Sequence, residues 1–128
     1  DHEEFAAVEE QVAFQATFPG DVPLLGTATH NAYHDSFLRV TGTAGQIMLD
    51  PVFFEREDRG MEIQRDGETI DVDVPQVHQL EEEFAYFADC VLTGRDPYPD
   101  GEHGLLDMRT IDAVYESAET GETVAVEK

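Results

Sequence analysis

Apolar and polar residues alternate along the first half of the chain, the period of two that puts one strand face on a core. Val12, Phe14, Ala16 and Phe18 interleave with Ala13, Gln15 and Thr17, and Phe18-Pro19-Gly20-Asp21 then breaks the run as a turn. A second strand is predicted from Leu24 to Ala32, with Thr27, Thr29 and Asn31 on its less apolar face. A third, Ser36 to Thr41, sets Leu38 and Val40 against Phe37 and Arg39. Gly42-Thr43-Ala44-Gly45 turns it into Gln46–Leu49, which ends at Asp50-Pro51. Asp66-Gly67 predicts a type I′ hairpin, since both central residues of that turn need positive φ. Its register opposes Arg65 with Glu68, Ile63 with Ile70 and Met61 with Val72.

After Pro75 the period becomes helical. Leu80, Phe84, Phe87, Ala88 and Val91 share a stripe, and Glu81, Glu82 and Glu83 occupy the first turn, where the helix dipole favours anions. Thr93-Gly94 is the stop, followed by an Asp96-Pro97 loop. A second helix is expected from about Gly104 to Thr120, burying Met108, Ile111, Tyr115 and Ala118; Gly121 ends it, and Thr123–Val126 can add a last strand. Strands followed by two helices define an α+β domain: a large, open, mostly antiparallel sheet with helices packed on one face.

Composition narrows the function classes. The chain has 128 residues, room for one domain spanning 1–128. It carries 29 Asp and Glu against 7 Lys and Arg, a net charge of −22. That charge excludes nucleic-acid binding through a basic patch and repels anionic membranes. The acids are spread through every segment, and all the cations but Lys128 are Arg. Such spreading suits a halophile's cytosol, where molar salt shortens the Debye length to about 3 Å. The competing reading is a stand-alone acidic interaction module, without enzymatic activity, that binds a basic partner. Apolar stretches fall far short of the roughly 20 residues that span a bilayer, and Asp1-His-Glu-Glu has no signal-peptide character. A lone cysteine, Cys90, fits a reducing compartment, so a cytoplasmic location is expected. Asp in place of Met at position 1 leads us to expect a piece of a longer polypeptide.

Candidate chemistry is sparse. His30 and His34 have the spacing of a zinc pair on a helix, but they fall in strand-like sequence, where that spacing does not bring both rings to one ion. Cys90 sits mid-helix between Asp89 and Val91, where a neighbouring carboxylate does not favour a reactive thiolate, so it reads as a packing residue. Asp66–Val74 lacks the ligand spacing of a calcium loop, and Gly42–Gly45 precedes a strand where a phosphate cradle needs a helix. No catalytic, cofactor-binding or metal-ligating set emerges.

Three stretches, in order, resemble a known family. Ser36-Phe-Leu-Arg-Val-Thr-Gly-Thr-Ala-Gly-Gln-Ile-Met-Leu-Asp50 is similar to the strand–GTxG–strand of the Gfo/Idh/MocA (glucose-fructose oxidoreductase-like) enzymes. Phe84-Ala-Tyr-Phe-Ala-Asp-Cys-Val-Leu-Thr-Gly-Arg-Asp-Pro97 resembles their first late helix with its loop, and Gly101 to Gly121 their closing helix. The resemblance covers nearly the whole chain and implies a carboxy-terminal domain. In the family such a domain walls the substrate pocket and forms the oligomer interface, while an amino-terminal Rossmann domain binds NAD or NADP. The catalytic Lys of a Glu-Lys-Pro motif and an Asp/His pair would precede this sheet. This sequence has no Glu-Lys-Pro, no Lys before position 128 and no Gly-rich fingerprint, and the Asp/His helix is expected ahead of Asp1. The resemblance thus implies an NAD(P)-dependent sugar or polyol dehydrogenase as parent, with this part inactive alone, binding no dinucleotide and self-associating through its sheet face. By motif position it places His30, Tyr33, His34 and His78 near the sugar, whose hydroxyls imidazole and phenol groups can hydrogen-bond.

Overall fold

The computed structural model describes residues 7–33, 35–53 and 59–127. In chain order the elements are β1 (Gln11–Phe18), β2 (Val22–Thr29), β3 (Leu38–Gly42), β4 (Gly45–Leu49), β5 (Met61–Arg65), β6 (Glu68–Asp71), α1 (Gln79–Thr93) and α2 (Gly101–Thr120). This is an α+β protein whose strands pair antiparallel throughout, as a two-stranded sheet, β1-β2, and a four-stranded sheet, β3-β4-β5-β6. The chain divides into two compact units, Asp1–Tyr33 with Tyr98–Lys128, and His34–Pro97.

The first unit holds β1, β2 and α2. β1 and β2 pair from Gln11↔Thr29 to Phe18↔Val22, and the turn between them carries positive φ at Gly20 and Asp21. Val12, Phe14 and Ala16 are half-buried between exposed neighbours, the expected alternation. The ring of Phe14 lies across Gly26 on the paired strand, in space that any Cβ there would occupy. α2 starts three residues ahead of the expected Gly104. Asp100 supplies the reason: its carboxylate accepts from the backbone N–H groups of Glu102 (3.0 Å) and His103 (3.1 Å), two of the donors a helix start leaves unpaired. At the other end Gly121, at φ 73°, returns its N–H to the Ser117 carbonyl.

Two expectations for this unit are corrected. Met108, Ile111, Tyr115 and Ala118 are exposed; the half-buried positions of α2 are Thr110, Ala113, Val114 and Ser117. An apolar stripe is buried only where another element covers it, and among the described residues none covers this one. Residues 123–126 form no strand, because no described segment pairs with them.

The second unit holds β3 to β6 and α1. The Asp66-Gly67 hairpin has φ of 56° and 81° at its two central residues, as type I′ demands. Ile63 opposes Ile70, Arg65 opposes Glu68, and Val72 donates to the Met61 carbonyl at 2.9 Å, which is the predicted register. The pairings line Val40, Ile47, Ile63 and Ile70 into one aliphatic row across all four strands. The neighbouring row is polar: Thr41, Gln46, Gln64 and Thr69, with Gln46 Nε2 donating to Gln64 Oε1 at 2.8 Å. Successive positions on a strand face opposite sides, so the sheet has an aliphatic face and a polar one.

Beyond β4, the Ser36 hydroxyl accepts from the N–H groups of Val52 (3.1 Å) and Phe53 (2.8 Å). Ser36 and Cys90 are the two buried residues among those described. α1 ends at Gly94, φ 70°, as its Thr-Gly stop predicts. Its stripe of Leu80, Phe84, Phe87 and Val91 stays largely open, Phe84 being 72% exposed. Cys90 is instead covered from its own helix end. The Arg95 guanidinium lies 3.7 Å from its sulfur and 3.0 Å from the Asp89 carboxylate, stacked over the Tyr86 ring. The bond to Cys90 raises the Arg95 pKa above its ordinary value.

Candidate functional site

His30 and Tyr33 belong to the first unit, on the segment that leaves β2. The His30 N–H donates to the Glu10 carbonyl at 2.9 Å, one step past the last β1-β2 pair, so the ladder's end fixes its backbone. Asn31 repeats the tie through its side chain, Nδ2 donating to Glu10 Oε1 at 2.9 Å. Tyr33, two residues on, is 95% exposed, with its ring open to whatever approaches this edge. His34 lies outside the described residues.

His78 belongs to the second unit, at the N-cap position of α1. Its backbone is extended (φ −74°, ψ 107°), its carbonyl accepts from the Glu82 N–H at 3.1 Å, and its side chain makes no capping bond. Arg59 and Gln76 hold the chain on either side of it. The Gln76 side-chain amide pairs with the Arg59 backbone as a strand neighbour would, accepting from its N–H at 2.8 Å and donating to its carbonyl at 3.0 Å. The Arg59 guanidinium reaches the Val77 carbonyl (3.5 Å) and Gln79 Oε1 (3.2 Å), the residues flanking His78. Nothing in the sequence marks this clamp, because Arg59 and Gln76 are far apart and neither belongs to a periodic pattern.

Two further polar groupings were not anticipated. In the first unit His103 Nδ1 lies 2.8 Å from Asp100 Oδ1, and its ring meets that of Tyr98 edge-on at 4.7 Å. The His103 side chain, aided by the same residue's backbone N–H, holds the Asp100 carboxyl below its ordinary range. An Asp just ahead of a helix is a legible cap signal. In the second unit an open cleft of about 390 Å³ lies between the two hairpin turns, lined by Thr41, Gln46, Gln64, Arg65 and Thr69 among others. His30, Tyr33 and His78 are not among its lining residues.

The described groups can accept and donate hydrogen bonds to a polyhydroxylated ligand. They include no group of three or more His, Cys, Asp and Glu arranged to hold a metal ion. No described helix is long and apolar enough to cross a membrane.

An α+β domain of antiparallel strands followed by two helices is what the resemblance implies, and comparison with known proteins gives it a family. The chain belongs to the Gfo/Idh/MocA oxidoreductase family: residues 1–126 match the family's C-terminal alpha/beta domain. Among curated relatives it is 48% identical over 126 residues to a D-xylose 1-dehydrogenase [NADP(+)] of the halophile Haloarcula marismortui, covering 98% of this chain and 35% of that protein. It is also 34% identical over 93 residues to a D-xylose 1-dehydrogenase (NADP(+)) 2 of Haloferax volcanii, covering 71% of this chain and 29% of that one. The chain thus spans about a third of the length of the curated relatives it matches.

Proposed function

We propose that this chain is the substrate-wall and assembly domain of an NADP-dependent sugar dehydrogenase that oxidises an aldose, D-xylose foremost, at its anomeric carbon. The observation that carries the reading is the 48% identity to a xylose dehydrogenase along nearly the whole chain. The hydride would pass to NADP⁺ bound by the parent's dinucleotide domain, and residues 1–128 would act as one domain against it, inactive and without dinucleotide alone. His30, Tyr33, His34 and His78 contribute hydrogen bonds to the sugar hydroxyls, for which imidazole and phenol are suited as both donors and acceptors. The exposure of the Tyr33 ring and the uncapped side chain of His78 support this role. The aliphatic row Val40–Ile47–Ile63–Ile70, with its edge residues exposed, supports self-association of the parent through the sheet. The spread acidic charge fits a cytoplasm of molar salt.

The parent enzyme, purified in molar salt, tests the reading. D-xylose with NADP⁺ should yield NADPH, and Tyr33→Ala or His34→Ala should raise the sugar KM by about 3- to 10-fold, the loss of one hydrogen bond. Absence of turnover on any pentose or hexose would refute the activity, and unchanged KM in both variants would refute the assignment of those side chains.

A further inference from the structure

The segment between β6 and α1 has no regular structure, yet its last residues are held by five side-chain hydrogen bonds made by Arg59 and Gln76. Gln76 takes the place of a missing strand: Oε1 accepts from the Arg59 N–H at 2.8 Å, and Nε2 donates to the Arg59 carbonyl at 3.0 Å and to the Val74 carbonyl at 2.8 Å. From the same residue the guanidinium bonds the Val77 carbonyl and the Gln79 side chain. Residues 76, 77 and 79 are therefore all tied to Arg59, a half-buried residue just ahead of β5. The residue bracketed by these ties is His78, whose imidazole is exposed and spends no bond on capping α1. A backbone fixed on both sides fixes the point from which the ring projects, so less chain ordering is left to be lost when the ring meets a ligand.

We infer that Arg59 and Gln76 are positioning residues that aim the His78 imidazole at the sugar. This rests on the reading of His78 as a sugar contact. Neither residue touches substrate; both act through the backbone of 76–79.

The test is a double-mutant cycle in the parent enzyme, reading KM and kcat for D-xylose. His78→Ala should raise KM by about 3- to 10-fold, and Gln76→Ala should raise it by a comparable factor with kcat little changed. The double variant should be no worse than His78→Ala alone, because a misaimed ring that is already absent cannot be misaimed further. Arg59→Gln removes the guanidinium ties while leaving the backbone pair with Gln76, and it serves as the second variant should Gln76→Ala fail to fold. If His78→Ala leaves KM unchanged, the sugar contact itself is refuted and the positioning role falls with it. If His78→Ala raises KM while the folded clamp variants do not, or if the two effects multiply, the contact stands and the positioning role is overturned. A clamp that only steadied α1 would lower thermal stability equally with or without His78 and leave KM alone.

Discussion

The two helices begin in opposite ways. α2 is capped from within its own first turn: the Asp100 carboxylate takes the N–H groups of Glu102 and His103, and the His103 ring closes back on it. α1 begins at His78, which offers no cap, and its approach, Gln76 to Gln79, is secured by Arg59 from another part of the sheet unit. A self-capped end is finished by local sequence and needs nothing else, whereas an end secured by remote residues leaves its N-cap side chain available. We read the first as a structural device and the second as a place where a binding group is presented.

The largest effect expected from this contrast is at Asp100. Asp100→Ala removes two acceptors at once, so protection of the Glu102 and His103 amides in hydrogen exchange should fall by about fivefold to tenfold. The sugar KM of the parent should not move. A rise in KM with Asp100→Ala would erase the distinction between the two helix starts.

Acid should reproduce that loss more gradually. The Asp100 carboxyl is held below its ordinary range, first by its bond to the His103 side chain and then by the backbone N–H of the same residue. A depressed carboxylate contributes stability above its unfolded pKa and loses it as pH falls through the folded one. The α2 start should thus hold at neutral pH and loosen only below about pH 4. Glu9 behaves alike, since the Tyr115 hydroxyl, 2.5 Å away, lowers its pKa, while that carboxylate raises the pKa of the tyrosine. The tyrosine reverses the sign: a raised pKa gives stability below its unfolded value of about 10, lost as pH rises through the folded value. Exchange protection followed across pH should show the α2 start loosening in acid only and the Glu9–Tyr115 tie at both extremes; Tyr115→Phe should abolish the alkaline change.

What the sequence discloses follows the same division between local and remote causes. The Asp66-Gly67 turn, its register with Ile63 opposite Ile70, and the stops at Gly94 and Gly121 depend on neighbours within a few residues, and all are legible. α2 starts three residues ahead of Gly104 because the Asp100 cap outweighs the poor helix propensity of Gly101 and Gly104. Which stripe of α2 is covered depends on what lies against it, and periodicity names the stripe without naming a cover. Of the candidate site, the residue types of His30, Tyr33 and His78 were legible. The clamp around His78 was not, because a glutamine amide standing in for a strand leaves no pattern in sequence.

The smallest effect is also the sharpest probe of the α1 start. His78→Asp would supply the capping carboxylate that this end lacks, accepting from the N–H groups of Leu80 or Glu81 as Asp100 does in α2. Glu81 and Glu82 already stand in the first turn, and their like charge offsets part of the gain. Protection of those amides should therefore rise by only about two- to threefold. In the parent the same substitution removes the imidazole, so the sugar KM should rise while α1 becomes firmer. A helix start that gains stability as binding weakens is the signature of a side chain withheld from capping for another use. If His78→Asp firmed the helix and left KM untouched, the uncapped start of α1 would have no binding role to explain it.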